Sequence, residues 1–354
     1  MSQLVARSLK RPLDLAEITQ EPIKRTKNEG ALVGAFNGQK ELLRTSHLLA
    51  PNMLLQGHEA EVFTARFAGS GDIVATAGFD KQILLWNVWG ECENYSHFKG
   101  HKHSVMDLKF STDTSCLFSG SADKTVRAWD LENGKCFRNF SSHTDIVNSV
   151  SPNRRGAQII CSASDDGLML VHDFRQKKPC QQFINNAKIQ LTSVAFSDTA
   201  EYIFCAGVDN VVKCFDRRKE QVVYNLEGHG DTITDLMLSP DGQYLLSNSM
   251  DMSAIIWDVK PYCTGNRKVS AFVGHQHNFE KNLLKCAWSP DGKRISCGSS
   301  DRLHNIWDVK TQRPVYRLPG HQGSVNAVDF HPKEGVILSG SSDKLVYISE
   351  IDMD

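Results

Sequence analysis

The chain predicts an all-β fold of seven repeated four-stranded units behind a disordered N-terminal tail, and three observations carry that prediction. Gly-His pairs stand at 57/58, 100/101, 228/229, 274/275 and 320/321, and Ser142-His143 continues the series. A turn aspartate recurs at Asp80, Asp123, Asp166, Asp209, Asp251, Asp301 and Asp343, at intervals of 43, 43, 43, 42, 50 and 42 residues. Within one unit, VMDLKF from 105, CLFSGS from 116, TVRAW from 125 and CFRNF from 136 are short alternating or apolar runs between turn residues, which is strand and not helix patterning.

Taken in order, residues 1–50 form the tail. The first 45 have few aromatics and no repeat, with eight Lys or Arg against five Asp or Glu, a composition too polar to build a core. Lys10-Arg11, twelve residues, then Lys24-Arg25-Thr26-Lys27 resembles a bipartite nuclear-import signal and predicts a nuclear protein. Residues 51–354 carry the repeat. After Asp343 the chain supplies LVYISEI and leaves the seventh unit one strand short, whereas PNMLLQ at 51–56 precedes the first Gly-His as a fourth strand precedes every later one. That stretch is therefore expected to close the ring and cover its sheet edge.

Six residues past each aspartate comes Trp86, Trp129, His172, Phe215, Trp257, Trp307 or Ser349, usually followed by Asp. A period of 42 to 43 with Gly-His and Trp-Asp at its ends resembles the WD-repeat family, which implies a seven-bladed WD40 β-propeller over residues 51–354. The family's spacing also implies a hydrogen-bonded set of histidine, hydroxyl, aspartate and tryptophan inside each blade. Complete sets are His58, Thr76, Asp80 and Trp86; His101, Ser119, Asp123 and Trp129; and His229, Ser247, Asp251 and Trp257. The other four blades depart: Cys297 replaces the hydroxyl in blade six, His172 and Ser349 replace tryptophan in blades three and seven, and blade four has no leading histidine and carries Cys205 and Phe215.

Bulk composition narrows the function. A formal charge of −1 and 40% hydrophobic residues suit a large core needing no metal or disulfide, and ten cysteines are scattered without a C-x-x-C. No run of 18 apolar residues or signal-peptide core occurs, so neither membrane nor secretion is expected. Nucleotide-binding, metalloprotease and hydrolase motifs are missing too, and with them any expected catalytic residue, cofactor or small-molecule substrate. The ring is expected to act as a monomeric protein-interaction scaffold, its partner sites lying where a blade breaks the repeat.

Three such breaks stand out. From His275 to Ser289 the chain takes fourteen residues, where His229 to Ser239 takes ten, and the insertion carries Phe279, Glu280 and Lys281. Phe79 and Met250 stand where other blades place Ala122 or Ser342. VWGECENY at 88–95 sets Trp89 on a third-to-fourth-strand loop, hence on the opposite face. Along the whole chain, NMLLQGHEAEVFTARF, AGFDKQILLWNVWGECENY, NRRGAQIICSASDDG, LLSNSMD and GHQHNFEKNLLKCAWSPDGKRI resemble one branch of the family, the WD-repeat subunits of the spliceosomal U5 small nuclear ribonucleoprotein. That resemblance implies a non-catalytic part in pre-mRNA splicing within U5 and the tri-snRNP, held by large U5 proteins and other spliceosome components, with RNA mainly an indirect neighbour. A second reading is a cullin-RING ubiquitin ligase substrate receptor, because HDFR at 172–175 and FDRR at 215–218 approximate that class's adaptor box without its tryptophan.

Overall fold

A computed structural model of the chain describes residues 44, 46–155, 159–176, 178–184, 188–263 and 265–352. The basic clusters Lys10-Arg11 and Lys24-Arg25-Lys27 lie outside the described residues. Among the described residues, apolar alternation and β-branched residues produce 28 strands, and these pair into seven four-stranded antiparallel sheets, the blades of a propeller. Blade two is typical, with strands Val105–Phe110, Cys116–Ser121, Val126–Asp130 and Cys136–Phe140 running outward from the channel. Its burial follows that order: the middle strands are mostly buried, whereas Cys136–Phe140 is largely exposed and buries only Phe140.

Six blades share one irregularity, a register shift near the start of the innermost strand, as between Val105 and Asp107 or Ile233 and Asp235. A bulge there sharpens the strand twist where seven strands converge on one axis. Blade six lacks it, and its inner strand is cut to Cys286–Trp288.

The hydrophobic core is divided among the seams between blades. Phe98 and Ile83 of blade one meet Leu108 and Trp129 of blade two, and Phe204 and Val212 of blade four meet Leu236 and Trp257 of blade five. Seven such clusters account for the seven seams. The last of them joins blade seven to blade one, with Leu338, Val346 and Ile348 against Val62, Ala65 and Trp86.

Closure is achieved by Asn52–Leu55, which pairs antiparallel with the final strand as Asn52 to Ser349 through Leu55 to Val346. Residues 44 and 46–50, expected within the flexible segment, are held against blade seven. Leu48 is 3% exposed within the closing seam, Arg44 pairs with Glu350 at 3.2 Å, and the Ser46 N–H donates to the Glu350 carboxylate at 3.0 Å. His47 adds a contact of 2.7 Å to Glu334. The physical reason is local: a single leucine and two polar side chains find partners on blade seven, although seven residues of mixed composition carry no periodic signal.

A chain beginning at Arg44 keeps this closure, and one beginning at Gly57 loses the strand together with buried Leu48 and Leu55. At about 1.5–3 kcal/mol for each buried leucine, the shorter chain is expected to be less stable by roughly 3–6 kcal/mol and to aggregate through its bared edge. Equal thermal melting of the two truncations would contradict the closing role.

Candidate functional site

The polar network inside the blades explains why the faces are rigid. In blade one His58 Nδ1 lies 2.6 Å from Asp80, His58 Nε2 lies 2.7 Å from Thr76 Oγ1, and Trp86 Nε1 donates to the same hydroxyl at 2.8 Å. Because the carboxylate only accepts, Nδ1 carries the proton, and Nε2 accepts from the threonine. His101, Ser119, Asp123 and Trp129 repeat these bonds at 2.7–2.8 Å, and His229, Ser247, Asp251 and Trp257 at 2.7–3.0 Å.

Blades three and seven lose the tryptophan and keep the rest. His143 joins Ser162 and Asp166 at 2.8 and 2.9 Å, while His172 takes the indole's place, stacked 4.5 Å from Phe140. His321 joins Ser339 and Asp343, and Tyr347 fills the space beside it at a ring separation of 4.8 Å. In blade four Asp209 pairs with Lys213 instead. In blade six His275 makes neither bond of the set and packs between Trp307 and His277.

Four of these turn aspartates also hold a loop. Asp123, Asp166, Asp251 and Asp343 accept the backbone N–H of the residue after the histidine, from Lys102, Thr144, Gly230 and Gln322, at 2.8–3.0 Å. Burial opposes the negative charge on Asp166 and Asp251. Hydrogen bonds from His143 and Thr144, and from Ser253, Gly230 and His229, outweigh it and hold both carboxyls at about 2. In blade six the corresponding N–H, from Gln276, goes to Ser299 Oγ at 2.9 Å, which frees the following loop from Asp301.

That loop is the four-residue insertion, and it is built as a turn. Asn278 Oδ1 accepts the Glu280 N–H at 3.1 Å, its Nδ2 donates to the Glu280 carboxylate at 3.0 Å, and Lys281 adopts φ +53°. Asn282 Nδ2 then ties the loop to Ser324 of blade seven at 3.2 Å. Phe279 is left 91% exposed at the tip. Lys281, Asn282 and Leu283 line a cavity of about 120 Å³ with Phe63, Met106 and Asn326, and Phe63 meets Phe79 edge-on at 6.4 Å. Lys281 and Phe79, far apart in sequence, thus share neighbours at one mouth of the channel. Met250 sits half-buried in the equivalent turn of blade five and, among the described residues, is not part of that cavity's lining.

Trp89 is differently employed. Its Nε1 donates to Asp72 at 2.9 Å and its ring lies edge-on to His47 and His331, so the half-buried indole packs on the closing seam. Sequence reasoning missed Tyr262, 93% exposed on the loop after Asp258. Arg267 braces that loop by donating to the Asp258 and Lys260 carbonyls at 2.9 and 3.0 Å and lying 4.0 Å over the Tyr224 ring. The 50-residue interval held the signal, since a four-residue insertion explains only half of its excess over 42.

Seven segments, 50–87, 92–130, 134–173, 177–216, 220–258, 266–308 and 312–348, match the family model described as WD domain, G-beta repeat. The chain belongs to the WD-repeat family. Within that family it is 46% identical over 334 residues to the U5 small nuclear ribonucleoprotein 40 kDa protein of Dictyostelium discoideum, covering 93% of this chain and 94% of that one. It is 47% identical over 348 residues to the protein of the same name from Homo sapiens, covering 95% and 97%. Against the pre-mRNA-splicing factor cwf17 of Schizosaccharomyces pombe the identity is 41% over 311 residues, covering 88% and 91%. These WD-repeat relatives give the ligase-receptor reading no support. In this WD-repeat ring His172 and Phe215, which open the two adaptor-box-like stretches, are buried in their blades.

Trp129→Ala removes an indole that is stacked on Phe98 and bonded to Ser119, and is expected to cost about 3–5 kcal/mol in denaturant unfolding. A wild-type transition would contradict the network. Acid sensitivity tests its departures. Burial, reinforced by His143, lowers His172 to about 3, and burial with His277 lowers His275 to about 4. Between these values and about 6.5, the ordinary value in the unfolded chain, the unfolded state binds more protons, so stability is complete above that pH and falls as pH drops toward 4. His172→Phe, the solution blade four already uses, is expected to shallow the fall in melting temperature between pH 6.5 and 4.5. An unchanged slope would contradict it.

Proposed function

We propose that this chain is the WD-repeat scaffold of a U5 small nuclear ribonucleoprotein and serves pre-mRNA splicing by holding partners without catalysing a step. The observation that carries the reading is identity of 46–47%, over nearly the whole of both chains, to proteins named for that particle, with a splicing factor among the more distant relatives. Physical features support it. A closed ring with braced loops loses little conformational freedom on association, which is what a multi-partner platform requires. Its partners are large U5 proteins and other spliceosome components, RNA is mainly an indirect neighbour, and the ring itself is a monomer. The work is nuclear, with Lys10, Arg11, Lys24, Arg25 and Lys27 serving import.

The inserted loop is the leading contact. Phe279 is a large exposed aromatic on a turn already shaped by Asn278 and Glu280, the kind of anchor that dominates protein interfaces. Lys281 beside it, and Phe79 and Met250 on the neighbouring turns, extend the same docking face.

Purification of the tagged chain from nuclear extract is expected to enrich U5 RNA over other small nuclear RNAs. Copurification of a cullin adaptor without U5 RNA would refute the assignment. Phe279→Ala with Lys281→Ala is expected to leave melting within about 0.5 kcal/mol of wild type. It is also expected to weaken association by about 2 kcal/mol, roughly thirtyfold. Full recovery of U5 RNA by this variant under stringent washing would remove the loop from the interface.

A further inference from the structure

The innermost strands place charge on the channel axis in an uneven way. Three cations, Arg66, Lys109 and Lys285, converge there with three carboxylates, Asp107, Asp235 and Asp329, from five blades in all, Lys285 standing just before the shortened strand of blade six. Arg66 lies 3.7 Å from Asp235 and 3.6 Å from Asp329, and Lys285 lies 3.4 Å from Asp107 and 3.6 Å from Asp235. The carboxylates also accept backbone N–H groups from the next blade: Asp107 from Val150, Asp235 from Cys286 and Asp329 from Phe67, at 2.9–3.0 Å. One oxygen of each is thereby engaged, and Asp107 Oδ1, without a hydrogen-bond partner among the described residues, faces Lys285. Among the described residues Lys109 forms no ion pair, and its ammonium rests 3.7 Å from the Met237 sulfur.

Lys109 faces a cavity of about 300 Å³ that opens on the face of the turns linking first and second strands. Its charged lining is Arg66, Lys109 and Arg154 against the single carboxylate Asp329. Arg154 is directed across the opening, donating to the carbonyls of Ser239 and Leu238 at 2.7 and 2.8 Å. Two nitrogens of buried Arg66, Nε and Nη2, have no hydrogen-bond partner among the described residues. Phe67, Phe110, Phe196 and Leu238 supply apolar walls, and Ser151 adds a hydroxyl. Such a site is short of one negative charge and one acceptor. Burial, with Arg66 adding repulsion, outweighs the attraction of Asp107 and Asp235 and lowers the Lys109 pKa, and the charge of an adjacent anion would oppose that shift.

We propose that this mouth of the channel receives the carboxylate of an acidic side chain, presented by an extended segment of a protein partner. One cation without an ion pair matches one carboxylate, and the apolar walls match flanking hydrophobic residues. A nucleic-acid backbone would call for a row of cations along an open groove, and this site is a single recess. It lies on the face opposite the Phe279 loop, so one ring holds two partner segments at once.

Methionine-methyl-labelled full-length protein reads the site directly, because the Met237 sulfur touches Lys109, and Met237→Leu assigns its signal. N-acetyl-glutamate α-amide is expected to shift that signal saturably, and N-acetyl-glutamine α-amide, which carries no carboxylate, to bind at least tenfold more weakly. Lys109→Gln is expected to abolish the response while melting at or above wild type, since it removes a cation from beside Arg66. A purely structural lysine would instead lower the melting temperature. Equal responses to the two amino acids, or no response to either, would overturn the proposal. A response to inorganic phosphate alone would make the recess a simple anion site and overturn the acidic-side-chain assignment.

Discussion

The pairing of Asn52–Leu55 with the last strand is the interaction on which the rest of the ring depends. A four-stranded sheet with one buried face is unstable alone, and each blade here buries both faces against its neighbours. Six seams follow from chain order, because consecutive blades are tethered. The seventh forms only if the two ends of the repeat region share a sheet, which brings Val62 and Trp86 against Val346 and Ile348. Closure converts a row of marginal sheets into one structure with a defined axis, and it fixes the angle at which every loop is presented.

Within that ring the histidine, hydroxyl and aspartate sets act as local braces. Each links an incoming loop, the second strand and the turn that follows it, so the loops on that face are held by buried hydrogen bonds. Blade six is informative because its brace is missing and its loop is longer. There the backbone is supported by Ser299 and by Asn282 reaching blade seven, and the exposed aromatic stands at the tip. Loss of the general brace and gain of a specific support coincide at one position. That coincidence fits a loop shaped for contact, since a tolerated insertion needs no anchoring asparagine.

Much of this architecture is legible in the sequence because period and residue type act locally. The turn aspartates, the alternating strands and the spacing from hydroxyl to tryptophan all lie within one unit, and a count recovers them. What escaped the sequence depends on contacts between units. Leu48 and Arg44 are ordered by blade seven residues about 300 positions away, and no local pattern announces such a partner. Tyr347 fills the cavity left by Ser349 from two residues earlier on the same strand face, a substitution visible only once His321 is placed. The channel charges sit in ordinary-looking strands, VFTARF and VMDLKF among them, and acquire meaning only when the ring brings Arg66 to Asp235. Trp89 leaves two readings open in the sequence, a contact residue or an aromatic folded back onto the ring, and the structure supplies Asp72 and His331 as its neighbours at the closing seam.

A rigid, closed ring is proposed to offer the blade-six loop to a partner in a U5 particle. A photo-crosslinking phenylalanine analogue at position 279, with a second protein carrying it at Tyr262 on the opposite face, tests this in living cells. The proposed assignment predicts a discrete adduct between position 279 and a large U5 protein. Absence of any adduct at position 279, in cells where the Tyr262 probe does capture U5 proteins, would contradict it.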